Sequence, residues 1–154
     1  MWITPESGHD GRAAVTVTRR YKFAASHRLH STRFSDSENR ELYGKCNNPH
    51  GHGHDYILEV RVSGPLDAMS GQVVNVAALD RMVARQVIED FDYKYLNADV
   101  REFQSVIPTS ENILRVIEDR LAACWRSVFP GERPRLDAIR LRETRRNLFE
   151  LKVS

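Results

Sequence analysis

The sequence predicts an α+β domain in which two helices lie on one face of a four-stranded antiparallel sheet. Three observations lead there. Two long alternating runs fill the first part of the chain, two stretches with apolar residues every three to four positions follow, and two short alternating runs close it. The order β-β-α-α-β-β is economically satisfied by helices laid on one side of the sheet. With 154 residues the chain has the length of one ordinary domain.

Composition narrows the function classes. Hydrophobic residues make up 41% and charged residues 29%, a globular profile and not a disordered one. Twenty-three basic against twenty-one acidic residues leave a formal charge of +2, and no dense Lys/Arg stripe stands out. That field is too weak to argue for nucleic acid. No apolar run approaches the roughly 18 residues of a membrane span. Met1–Arg12 lacks a charged segment followed by an apolar one, so no secretory pattern is visible. Cys46 and Cys124 sit in different contexts and read as free thiols of a reducing compartment, which makes a cytoplasmic location the expectation.

Residues 1–12 carry two glycines and a proline without periodicity and read as a flexible leader to a single domain spanning 13–154. In the first strand Val15, Val17, Tyr21, Phe23, Ala25 and His27 share one parity, with polar residues on the other. The polar stretch His30 to Asn48 is too long for a hairpin turn and too unpatterned for a helix, so it reads as a functional loop. A second strand runs from about His52 to Ser63, with Tyr56, Leu58, Val60 and Val62 on one face, and ends at Gly64-Pro65. Asn75 looks like the cap of a helix whose apolar stripe is Val76, Leu79, Val83, Val87 and Phe91. After Pro108 a second helix begins, with Thr109 or Ser110 as cap and Ile113, Ile117, Leu121, Trp125 and Val128 as stripe. Leu136–Glu143 and Leu148–Val153 alternate around a polar turn at Arg145-Arg146, the pattern of a hairpin. Such a sheet has two unpaired edges that need covering, so oligomerisation is expected.

The densest chemical signal is Lys45-Cys46-Asn47-Asn48-Pro49-His50-Gly51-His52-Gly53-His54. Histidines at alternate strand positions point to one side, where two imidazoles can reach a single ion. A reactive zinc site wants three protein ligands and one open position, and His27 at the end of the first strand offers a third nitrogen. Three nitrogens suit zinc better than magnesium or calcium. Spacing alone leaves His50 and His54 as alternatives, while His9 and His30 read as ordinary loop histidines. Cys46, beside Lys45 and near a dication, should ionise readily. It would be either a fourth ligand closing a structural site or a base standing off the metal. Cys124, next to Trp125, reads as an inert core thiol. Glu143 extends the inward parity of Ile139 and Leu141, and a carboxylate there needs a partner. Arg145 or Arg146 would make it a salt bridge, whereas a planar ligand with adjacent N–H groups would make it an anchor.

The runs Phe23-Ala24-Ala25-Ser26-His27-Arg28-Leu29-His30, Leu42-Tyr43-Gly44-Lys45-Cys46-Asn47-Asn48-Pro49 and Gly51-His52-Gly53-His54-Asp55-Tyr56 together resemble the 6-pyruvoyl-tetrahydropterin synthase family. Pro108-Thr109-Ser110-Glu111-Asn112 and Glu143-Thr144 extend the likeness, which covers about residues 15–153 in order. The resemblance implies the tunnelling fold (T-fold) and a homohexamer of two stacked trimers with active sites between subunits. It implies zinc (Zn2+) held by His27, His52 and His54, a catalytic proton acceptor at Cys46, and a pterin anchor at Glu143 helped by Thr109, Ser110 and Glu111. Asp92 matches the aspartate of an Asp-His proton-transfer pair, but Tyr93 stands where the histidine is usual. A phenol titrating near pH 10 is a poorer shuttle at neutral pH than an imidazole near 6.5. The implied substrate is 7,8-dihydroneopterin triphosphate, a small-molecule pterin, with no nucleic-acid or membrane partner. The implied reaction is elimination of triphosphate to 6-pyruvoyl-tetrahydropterin on the way to tetrahydrobiopterin. The same residues serve 6-carboxy-tetrahydropterin formation with acetaldehyde release, on the way to queuosine. Five residues between Cys46 and His52 favour the pyruvoyl type, while three between Cys46 and His50 imitate the carboxy type. Competing readings are a zinc- and pterin-binding homologue weakened by Tyr93, and a structural zinc module closed by Cys46.

Overall fold

β1 (Val15–His27) and β2 (His52–Gly64) form an antiparallel ladder along their whole length, from Val15 opposite Gly64 to His27 opposite His52. This computed structural model describes residues 14–131 and 133–154, so the expected leader over 1–12 lies outside the described residues. Alternation does what the pattern predicts. Phe23, Ala25 and His27 of β1 and Tyr56, Leu58, Val60 and Val62 of β2 are buried. β4 (Arg135–Arg142) pairs with β2 across a register shift between Arg61 and Val62, and β5 (Leu148–Lys152) closes that side as the hairpin partner of β4.

The sheet has five strands, not four, and is mixed, not wholly antiparallel. Its order is β3-β1-β2-β4-β5, with β3 (Lys94–Tyr95) parallel to β1. Two residues carry no alternation to read, so this strand leaves no periodic trace in the sequence. Tyr93, at φ 58°, turns the chain into it, and its N–H donates to the Ala24 carbonyl.

Helices cover one face. α2 (Val76–Val83) starts at Asn75, whose side chain accepts from the Ala78 N–H. It runs through a π-helical turn, Ala84–Ile88, into α3 (Glu89–Phe91). After β3 come a short α4 (Leu96–Asp99) and a 3₁₀ turn, Arg101–Gln104. α5 (Ser110–Val128) is capped by the Thr109 hydroxyl, which accepts from the Asn112 N–H. The two predicted stripes supply the core: Leu79, Val83, Val87 and Phe91 from one, Ile113, Ile117 and Leu121 from the other, all fully buried against Leu58, Val60, Ile139 and Leu141. Arg120 of α5 ties these layers together. It donates to Glu102, Asp90 and the Gln86 carbonyl, and its guanidinium lies 5.1 Å from the centre of the Phe91 ring.

The stretch expected to be a long loop contains α1 (Asp36–Tyr43) and a 3₁₀ turn, Gly44–Asn47. The signal for α1 was a capping box, not an apolar stripe. The Ser35 hydroxyl accepts from the Glu38 N–H while the Glu38 carboxylate accepts from the Ser35 N–H. The one buried residue of α1 is Asn39. Its amide accepts from the Ser31 N–H and donates to the carbonyls of Ser31, Phe34 and Ser35, so it organises the segment without any apolar periodicity.

Candidate metal centre

The open end of the β1–β2 ladder brings the expected residues together. His27 and His52 face each other across the last register position, and His54 follows at i+2. Gly51 lets the chain enter β2 this close. Its φ is +82°, and a Cβ there would come within 3.1 Å of both the His27 carbonyl oxygen and the Tyr95 ring. Cys46 arrives on the 3₁₀ turn after α1. Its carbonyl accepts from the Leu29 N–H at 2.7 Å, and the neighbouring Asn47 amide donates to the Leu29 carbonyl at 2.8 Å.

His27 is fully buried, and its Nδ1–H donates to the Pro108 carbonyl at 2.8 Å, which leaves Nε2 as the ligating nitrogen. That atom lies 3.1 Å from His54 Nε2, which in turn lies 3.7 Å from Cys46 Sγ. The ligand atoms of His27, Cys46 and His54 all lie within 4.8 Å of one another. Facing imidazole nitrogens this close call for a proton or a cation between them. Two imidazoles and a thiol are the donor set of zinc and other soft-to-borderline ions, so the residues present fit a metal. Burial pushes both imidazole pKa values down, opposed at each by the Glu143 carboxylate, so the ligating form is the neutral one.

His52 stands beside this group but not in it. Its ring centre is 4.8 Å from that of His54, and the gathered three-donor group contains Cys46 in its place. His50 is exposed on the preceding turn, its backbone N–H donating to the Asn48 side chain.

Glu143 follows β4 and turns inward. Its Oε1 is 3.8 Å from His54 Nε2 and 4.0 Å from His27 Nε2, and it accepts from the Ser110 hydroxyl at 3.0 Å. Among the described residues it pairs with neither Arg145 nor Arg146, both of which are exposed. Ser110 is buried, Thr109 caps the same helix end, and Glu111 is exposed beside them. Lys45 by itself does not give the Cys46 thiol the ready ionisation expected beside both Lys45 and a dication. Burial and then the Glu143 charge raise its pKa, and the exposed Lys45 does not offset them. Asp92 is not gathered with the cluster. Its Oδ1 accepts the Ala24 N–H at 2.8 Å, beside Tyr93, which is 87% exposed and so is no core aromatic.

Against known proteins, residues 16–153 match the model of a family described as 6-pyruvoyl tetrahydropterin synthase. The 6-pyruvoyl tetrahydrobiopterin synthase of Poecilia reticulata is 42% identical over 132 residues, covering 86% of each chain. The human protein of that name is 44% identical over 114 residues, 74% of this chain and 79% of its own. The solved structure of Caenorhabditis elegans 6-pyruvoyl tetrahydropterin synthase superposes with a TM-score of 0.81 at 37% identity, covering 92% of this chain and 97% of that one.

Proposed function

Since the chain belongs to the 6-pyruvoyl tetrahydropterin synthase family, we propose that it is a zinc-dependent lyase that converts 7,8-dihydroneopterin triphosphate to 6-pyruvoyl-tetrahydropterin with loss of triphosphate. The observation that carries this reading is the convergence of His27, Cys46 and His54 within 4.8 Å, with the Glu143 carboxylate about 4 Å from both imidazoles. We assign His27, His52 and His54 as the zinc ligands. Zinc bound there supplies Lewis-acid polarisation of the substrate's side-chain hydroxyls. Cys46 Sγ, as the thiolate that a dication bound beside it would favour, takes the proton from the adjacent carbon and becomes the thiol, a step for which a positioned base contributes roughly a hundred- to ten-thousand-fold. Glu143 accepts two parallel hydrogen bonds from the pterin's adjacent N–H groups, and the Ser110 hydroxyl on Oε1 holds the carboxylate in place. Thr109 and Glu111 flank that anchor at the start of α5.

Asp92 and Tyr93 lie at the β3 edge of the sheet, where Tyr93 lines one cavity together with His54. In a homohexamer of stacked trimers with sites between subunits, we assign Asp92 to proton transfer across such an interface. The exposure of Tyr93 supports that placement. No helix among the described residues is long and apolar enough to cross a membrane, and the two cysteines are free, which supports a reducing, cytoplasmic setting.

Incubating the protein with dihydroneopterin triphosphate and identifying products by mass tests the reading. The expected products are 6-pyruvoyl-tetrahydropterin and triphosphate, lost with a chelator and restored by zinc. Acetaldehyde would move the chain to the carboxy-forming type, and no turnover by zinc-loaded protein would overturn the lyase assignment. A second reading has its own support: because Cys46 and not His52 completes the three-donor group, Cys46 would be a ligand closing a structural site.

A further inference from the structure

Next to the metal cluster, a cavity of about 410 Å³ opens between the end of β1 and the α1 segment. His52, whose ring stands beside that of His54, lines it together with Arg28, Arg40 and Lys45, with Asp36 as its one acidic residue. Among the described residues, Arg28, Arg40 and Lys45 pair with no carboxylate, although seven ion pairs are formed elsewhere by other arginines. Arg28 is half-buried and partly fixed, its Nε–H donating to the Asn47 carbonyl at 3.3 Å. Its terminal nitrogens have no protein acceptor among the described residues. Three cations gathered in one concavity against a single carboxylate leave a surplus of positive charge that a multiply charged anion would neutralise. Guanidinium groups suit phosphate oxygens by their fork geometry, and a lysine ammonium adds a point charge.

We infer that this cavity is an oligophosphate cradle in which Arg28, Arg40 and Lys45 bind the phosphate chain of a ligand whose other end lies at the metal cluster. The inference deepens the proposed lyase function and rests on it for the identity of that ligand. The cradle itself rests only on the lining and its charge. One 3₁₀ turn carries both Cys46, which joins the cluster, and Lys45, which lines the cavity.

The test is calorimetric titration with inorganic triphosphate, pyrophosphate and phosphate, on the protein as purified and again after dialysis against EDTA. Affinity should rise with the number of phosphates and fall with added salt. Arg28→Gln and Lys45→Gln should each weaken triphosphate binding by about tenfold in both arms. Asp36→Asn should strengthen it a few-fold, because it removes the one like charge. That opposite sign distinguishes an anion site from general loss of fold, and far-ultraviolet circular dichroism checks folding of each variant. Equal binding by wild type and the Arg28 and Lys45 variants would overturn the cradle, as would triphosphate binding that vanishes entirely with the metal. Turnover separates the two ideas. A wild type that turns over while its cradle variants bind normally sinks the cradle alone. Cradle-dependent binding without turnover sinks the lyase reading alone.

Discussion

Replacing Asn39 by alanine tests whether a polar residue, and not an apolar stripe, holds the segment that delivers Cys46. The amide is fully buried and makes four contacts: it accepts from the Ser31 N–H at 2.8 Å and donates to the carbonyls of Ser31, Phe34 and Ser35 at 2.9, 3.2 and 3.0 Å. One amide NH2 has two protons for those three carbonyls, so about three full hydrogen bonds are at stake. At roughly 1 kcal/mol each, Asn39→Ala should cost about 3 kcal/mol, rising toward 4 because the Ser31 N–H is left buried without its acceptor. For a chain of this size that is a fall in Tm of about 6–12 °C. The assay is urea and thermal unfolding at one fixed protein concentration, since assembly would otherwise contribute. Turnover per folded, metal-loaded site should also fall, because the 3₁₀ turn carrying Cys46 follows directly on α1. Asn39→Asp sharpens the test. It keeps an acceptor for Ser31 but sets a carboxylate against three carbonyls. Its folded-state pKa is therefore raised, so its deficit should be largest above that raised value, shrink as pH falls toward the unfolded value of about 3.9, and be smallest below it. A loss under about 1 kcal/mol for Asn39→Ala would refute the reasoning.

The remaining expectations concern the metal and one ion pair. His27→Ala, His52→Ala and His54→Ala should each lose bound zinc and activity while His50→Ala retains both, and Cys46→Ala should keep about one zinc per chain yet lose turnover. Elemental analysis beside the product assay decides: zinc lost with Cys46, or kept without His52, would favour the closed site that includes the thiol. Arg120 holds the Glu102 carboxyl below its usual range. Because that pKa is depressed, the stabilisation is present above the unfolded value near 4.3 and is lost as pH falls through the folded one. Glu102→Gln should cost about 1 kcal/mol at pH 7, after discounting for the partial exposure of Glu102, and progressively less as pH falls below the unfolded value of about 4.3, by urea unfolding across that range. A pH-independent difference would show that the pair contributes by packing alone.

Where the sequence was informative, a period was being imposed by one buried face. His27, Phe23 and Ala25 share a parity because β1 is buried on one side, and Leu79, Val83, Val87 and Phe91 keep helical spacing even through the π-helical turn, since every one of them still faces the sheet. Where it was silent, backbone or polar interactions set the structure instead. β3 exists because the chain turns at Tyr93 and runs beside β1 for two residues, and α1 exists because of Ser35, Glu38 and Asn39. The capping box was present to be found at Ser35-x-x-Glu38, but without an apolar stripe beside it the polarity of the stretch read as loop.

The cluster shows the same division. Alternation alone places His52 and His54 on one side of β2, and the β1–β2 register sets His27 against them. Neither consideration says which nitrogen faces which. That is settled by Pro108, whose carbonyl takes the His27 Nδ1–H and turns Nε2 toward His54. Pro108 precedes the Thr109 cap, and Ser110 in the next turn holds Glu143. One helix start therefore orients a ligating histidine and steadies the carboxylate beside it. This physical link joins two segments that the sequence separates by more than eighty residues. By pattern the Pro108–Ser110 motif reads as a helix cap, and only the family resemblance ties Thr109 and Ser110 to Glu143, because a cap's backbone carbonyl leaves no mark in residue type.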